Sequence, residues 1–350
     1  MAVEQRITAA PAPGLLRRAI PYVQVAGQLA FAAALLGLLL WRIDLAQVRR
    51  EMQGVDLWWL APAFIFNIVS DGFRAVRWRE FFRPMRPLSV PFLWALAVLG
   101  VACNLALPLR AGEFVRLQVL RSRTGLRFSE ILATILSEKL ADTVAFSAFL
   151  AVGIVLYGEA RFLWPLAALY VLLLTAGVAG ARWLARRSDR EAALLPQHEG
   201  RWRARLDRQA QSFGAGLKAF MSTRSLAIVA LTSIAAWLCE AILYYSCGRA
   251  LGISLDPAVY LLIVVAATVA VSVPFTLAGL GVFELALTGL LVSFGVSESE
   301  AVAFAIFSHV MLAVPYFVCG PFAAFALRVN TRDILFLRSP SALQAEAAAE

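Results

Sequence analysis

The sequence predicts an all-α polytopic membrane protein, with about six full spans and two re-entrant or broken helical elements in an inverted-repeat-like arrangement. Three observations lead there. The 350 residues are 61% hydrophobic and only 16% charged, too apolar to cover a soluble protein of this length with polar surface. Apolar stretches of about 18 residues or more recur from end to end, each able to cross a hydrocarbon core of roughly 30 Å. The basic residues behind the net charge of +9 lie between those stretches, the pattern of the positive-inside rule and not of a nucleic-acid-binding surface.

The first span, near 19–41, follows Arg17 and Arg18. It is too long for the apolar region of a signal peptide and reads as uncleaved. Residues 1–18 read as a disordered cytoplasmic N-terminus, 19–328 as the membrane domain and 329–350 as a cytoplasmic tail. Further clear spans fall near 57–76, 130–157, 162–181, 225–247 and 301–327. Loop charge orients them. Residues 74–89 carry Arg74, Arg77, Arg79, Arg83 and Arg86 against Glu80 alone, and the loop 182–224 carries ten basic and four acidic residues. Both are expected on the cytoplasmic side of the inner membrane, as are both termini. The stretches 42–56, 158–161, 248–257 and 296–300 are charge-balanced or acidic and are expected outside.

Two apolar stretches fit this frame only if they turn back. A full crossing by 90–109 would put Arg110, Arg116, Arg121, Arg123 and Arg127 outside, with Glu113 as their only counter-charge. Asn104 and Pro108 supply a break, so 90–109 reads as re-entrant from the cytoplasmic side. Residues 258–296 enter from the other face and break at VPFTLAGLG, 273–281. Two broken elements from opposite faces are the mark of an inverted repeat around a midplane site. The alternative is two ordinary spans kinked by Pro and Gly.

Ionisable groups at membrane depth mark the candidate site, because each is costly unless paired or hydrated. Glu138 and Asp142 share a helix face at i,i+4, Lys139 reaches Asp142 at i,i+3, and Glu113 and Arg116 stand i,i+3 apart. These groups either line a hydrated cavity with 104–116 or pin a helix to the bundle as structural ion pairs. At the second break, Gly279 and Gly281 precede Glu284. A helix starting near Gly281 would aim its positive end and free N–H groups at a phosphate. Asp71 can pair with Arg74, and Glu240 is a further buried acid. His309 is the one intramembrane histidine, suited either to a packing hydrogen bond or to proton handling. Amphipathic patterns at 41–55 and 202–220 suit surface helices. The basic second one would rest on anionic inner-leaflet lipid at 201–220 or cover the bundle.

Enzyme signatures are missing. There are two histidines, four cysteines in or beside apolar segments, and no Cys-x-x-Cys or His-Glu-x-x-His motif, so neither a metal nor a cofactor is expected. No Gly-x-Ser-x-Gly, phosphate-binding loop or Asp-x-Asp motif occurs, and no catalytic residue is assigned.

RAVRWREFFRP (74–84), NLALPLRAGEFVR (104–116), SEKLADT (137–143) and VPFTLAGLGVFE (273–284) resemble, in that order, the flippase-like membrane domain of the lysylphosphatidylglycerol synthase family. The resemblance covers about 20–328. It implies a lipid-moving membrane domain without the fused aminoacyltransferase domain of bifunctional members. The family's Pro-x-Arg-x-Gly-Glu pattern falls on Pro108, Arg110, Gly112 and Glu113, after Asn104 and before Arg116. Its Glu-Arg-x-x-Asp pattern falls on Glu138, Lys139 and Asp142, where Lys lacks the bidentate fork of Arg. Its glycine-rich pattern falls on Pro274, Gly279, Gly281 and Glu284.

The function expected is that of a non-enzymatic lipid translocase of the cytoplasmic membrane, taking a phospholipid or other polar lipid. Two rivals stay open. One is a membrane-embedded transferase using Glu113 or Asp142 as base. The other is a non-transporting subunit that docks a separate lipid-modifying enzyme through 182–224. A homo-oligomer is compatible with the sequence, and nucleic acid is not an expected partner.

Overall fold

A computed structural model describes residues 33–35, 37, 45–107, 111–157, 164–194, 217–272, 276 and 278–329. Among them there are helices and turns and no strand. In chain order the α-helices are α1 (Leu45–Gln53), α2 (Leu60–Phe82), α3 (Val90–Ala106), α4 (Ala111–Thr124), α5 (Phe128–Leu156), α6 (Trp164–Leu194), α7 (Thr223–Ala250), α8 (Val259–Val271), α9 (Val282–Ser293) and α10 (Glu298–Ala326). Short 3-10 turns at Leu57–Trp59 and Lys218–Met221 precede α2 and α7.

Helix ends follow local chemistry. α10 starts in a capping box, in which Ser297 and Glu300 satisfy each other's backbone N–H groups. α7 starts at Ser222, whose hydroxyl accepts from the Ser225 N–H. A proline in the first turn of α3 occupies a position that needs no intrahelical N–H bond.

Four helices are long and apolar enough to cross a membrane: α5, α6 over Trp164–Leu184, α7 and α10. A fifth crossing is available to the pair 46–53 and 57–82, bent by 77°. The chain is a multi-pass membrane protein. The expected first span, 19–41, lies almost wholly outside the described residues, and so does most of the expected amphipathic segment 202–220. The amphipathic segment 41–55 is helical at α1 and covers the bundle, burying Val48 against Val302 and Ala303 of α10.

Two expected boundaries need correction. α2 does not end near 76 but runs to Phe82, and Arg77 and Glu80 are only 2% and 3% exposed. The charges of 74–80 therefore belong to a buried helix and not to a loop. α6 likewise continues beyond 181 to Leu194.

Three short apolar helices, α3, α8 and α9, form two hairpins together with the charged α4, one from each end of the bundle. In the first, contacts run from Gly112 on Asn104 back to Gly100 on Arg116, so α3 and α4 are antiparallel. A Cβ on Gly112 would lie 1.8 Å from the Gly100 carbonyl oxygen, an approach only glycine allows. Arg86, before α3, donates to the Thr124 carbonyl at the end of α4 at 2.6 Å. The hairpin thus leaves from and returns to one end.

Other contacts assemble the same end. Arg123 donates to the Leu327 carbonyl, and Arg182 to that of Phe220. At the opposite end, Asp56 N–H donates to the Ala250 carbonyl, Tyr157 packs edge-on against Phe294, and α8 and α9 begin and end there. One end gathers the basic segments and the other the neutral and acidic ones. The charge contradiction in 90–129 is thereby resolved by re-entrance.

Candidate functional site

Between the two hairpin tips lies a cavity of about 420 Å3, within the range of small-ligand sites. Asn104, Leu105 and Leu107 reach it from the first break, and Val271, Ser272, Thr276 and Ala278 from the second. Among the described residues its wall carries Arg74, Arg77, Arg116 and Lys139, against Asp71, Glu113, Glu138, Asp142 and Glu240. Charges this deep survive only in pairs, and the pairs are on the wall.

Each central guanidinium has a carboxylate partner. Arg116 on α4 donates to Glu138 on α5 at 2.9 Å and to Glu113 at 3.3 Å. Arg74 on α2 donates to Glu240 on α7 at 2.6 Å and lies 3.7 Å from Asp71. Arg77 donates to Asp142 at 2.7 Å and to the Ser233 hydroxyl at 3.0 Å. Two also rest on indole faces: Arg116 lies 4.1 Å from the Trp78 ring centre and Arg74 lies 4.4 Å from that of Trp237. Cation–π attraction is strongest where water is excluded. The indoles are fixed in turn, Trp237 donating to Asp142 at 2.9 Å and Trp78 to Thr134 at 3.2 Å.

Glu138, Asp142, Glu113 and Arg116 thus come together as their spacing suggested, and Asp71 meets Arg74. Lys139 is different. Its charge acts on Asp142, but Asp142 bonds Arg77 instead, and Lys139 makes no ion pair with the described residues. It is exposed on the cavity wall.

Asn104 holds the first break: its side-chain oxygen accepts the Gly112 N–H at 2.8 Å, one of the N–H groups that a helix start leaves without an intrahelical acceptor. At the second break, Ala278, Gly279 and Gly281 all have positive φ, at 52°, 86° and 84°. The Gly281 N–H is not free for a phosphate, because Glu284 accepts it at 2.7 Å. Gly279, Gly281 and Glu284 stand behind the wall, and His309 links them to it. Pro108, Arg110 and Pro274 lie outside the described residues.

The sequence marked neither Arg77 nor Trp237 as a site residue, and Glu240 only as a further buried acid without a partner assigned. A signal for the first was present: Asp71, Arg74, Arg77 and Glu80 recur every third residue, a charged ladder that a loop has no reason to keep.

The lysylphosphatidylglycerol synthase TM region matches residues 25–320. The chain belongs to that family. A curated relative, glycosyltransferase AglD of Haloferax volcanii, is 24% identical over 91% of this chain and 56% of its own length. The chain spans little more than half of that relative. The family takes its name from a synthase of a membrane phospholipid, and the chain's function lies with membrane lipids.

Proposed function

We propose that this family member is a lipid translocase of the cytoplasmic membrane, with the basic end of the bundle and both termini facing the cytoplasm. A phosphate-bearing head group enters the cavity between the hairpin tips while the acyl chains stay in the bilayer. The observation that carries this reading is a cavity at the meeting point of two broken hairpins, walled by paired charges and, among the described residues, by one cation without an ion pair, Lys139. The three arginines are held by carboxylates and set the shape and field of the wall. Lys139 makes the new bond to phosphate, with Arg110 as a second cation. No chemical step is required of any residue. The basic segment 201–220 rests on anionic inner-leaflet lipid, and 182–224 is where a separate lipid-modifying enzyme would dock.

The test is leaflet exchange of fluorescent phosphatidylglycerol and of a polyprenyl phosphate in proteoliposomes. Wild type is expected to exceed protein-free vesicles. Lys139→Ala is expected to be about tenfold slower or more, the loss of one charge-assisted hydrogen bond, with unchanged thermal stability. Equal rates for wild type and empty vesicles with both lipids defeat the proposal.

A second reading is supported by the similarity to a glycosyltransferase. A module of this kind would present a lipid-linked acceptor to a glycosyltransferase, and transfer, not exchange, would then be lost with Lys139→Ala.

A further inference from the structure

His309 on α10 faces oxygen at both ring nitrogens. Nδ1 lies 2.6 Å from Glu284 Oε1, and Nε2 lies 3.1 Å from the Ala278 carbonyl oxygen. A carbonyl oxygen can only accept, so Nε2 carries a proton in this arrangement. The 2.6 Å contact needs a second proton, on Nδ1 or on the carboxyl. The His309–Glu284 unit therefore holds one proton more than a neutral imidazole beside a carboxylate.

Removing that proton breaks a contact. If the remaining proton stays on Nε2, two lone pairs oppose each other across 2.6 Å. If it moves to Nδ1, the Ala278 carbonyl loses its donor. What the clasp holds is strained: Ala278 sits at φ 52°, a region costly for a residue with a Cβ. Glu284 at the same time pins the start of α9 through the Gly281 N–H. The Phe283 ring packs at 4.4 Å from the imidazole and shields one face, while Ala278 and His309 both open on the cavity.

The other charged groups that can act on His309 from the elements packed on α10 already have ion-pair partners. α2 brings Arg74 with Asp71, and α7 brings Glu240, which is bonded to Arg74. Tyr244 of α7 and Tyr316 of α10 itself share the cavity. α3 contributes no ionisable group to the wall other than the Cys103 thiol behind it, and α1 meets α10 about two turns away, at Val302 and Ala303. Among the described residues, Glu284 is the one acid bonded to the ring.

We propose that His309 and Glu284 form a proton-binding site that latches the second hairpin and couples lipid movement to a proton gradient. This rests on the translocase reading. With the proton bound, the tip is clasped. When the proton leaves to the cavity, Ala278 is released and the tip is free to move. The clasp holds while the proton is bound and opens when it is lost.

The experiment has two arms. In the first, hydrogen–deuterium exchange is followed across 278–284 in the full chain, corrected for the intrinsic pH dependence of exchange. Wild type is expected to lose protection as pH rises. His309→Gln, which keeps a donor for Ala278 but does not titrate, is expected to show no such trend, and the α3–α4 hairpin none in either protein. Protection at 278–284 that is flat in pH for wild type overturns the proton latch and leaves the translocase reading standing.

In the second arm, proteoliposomes of phosphatidylcholine with a trace of fluorescent phosphatidylglycerol carry a gradient of one pH unit. One proton per lipid would hold the two leaflets at a ratio of about ten in wild type and about one in His309→Gln, whatever its basal rate. A ratio near one in a wild type that moves the probe overturns the coupling alone. A probe that wild type does not move overturns the translocase reading and the coupling with it.

Discussion

The two hairpins meet at one cavity but are built from different chemistry. The tip of α3–α4 is fixed by the Asn104–Gly112 bond, which has no titratable member, and by the close contact of Gly100 with Gly112 and Arg116. Its charges, Glu113 and Arg116, are tied to Glu138 on a neighbouring span. The α8–α9 hairpin is apolar apart from its tip, where a left-handed turn is held by His309 and Glu284. The bond that holds the first tip has no titratable member, and the clasp on the second has two. The proposed translocase would use that asymmetry, with one wall to recognise a head group and a second wall able to change.

The comparison can be broken most severely at Arg116. Arg116→Ala leaves Glu138 buried without its cation and is expected to cost about 3–5 kcal/mol, read as denaturant unfolding in detergent. Arg116→Met combined with Glu138→Leu is expected to recover most of that loss, because the uncompensated charge is gone. A single variant as stable as wild type would mean that the pair is hydrated and contributes little.

Gly112→Ala comes next. Its Cβ would collide with the Gly100 carbonyl, and overpacking of this kind costs about 1–3 kcal/mol. Gly289→Ala in α9, where a Cβ meets nothing within 4 Å, is expected to stay within about 0.5 kcal/mol of wild type. Equal effects at the two positions would contradict the difference in hairpin packing.

Asn104→Ala removes one cap from the start of α4 and is expected to cost about 1 kcal/mol, with amide exchange faster at Gly112 and unchanged at Gly281. The same loss at both hairpins would show that the tips are not independent.

Much of this was legible in the sequence because hydropathy and loop charge are additive along the chain. The charges of 110–129 allow only a returning 90–109, and the contacts of Arg86 with Thr124 show the return. Spacing within one helix also worked: Glu113 and Arg116, or Asp71 and Arg74, meet because a helix brings i and i+3 together. What failed depends on partners distant in sequence. Asp142 was matched to Lys139 three residues away, but its partner is Arg77, 65 residues away. Once that pairing exists, Arg77 can be buried and α2 can carry charges to Phe82, which hydropathy alone reads as the start of a loop. The amides at Gly281 were expected to be open to a phosphate. A carboxylate three residues on also fits a helix start, and Glu284 takes the bond.

The central claim is that the cavity between the two breaks holds a lipid head group. A density map of wild type in nanodiscs containing phosphatidylglycerol tests it most directly. A phosphate is expected within hydrogen-bonding distance of Lys139, between Asn104 and Ser272, with acyl chains leading out to the bilayer. Lipid density confined to the outer surface of the bundle, with only solvent between the hairpin tips, would contradict it.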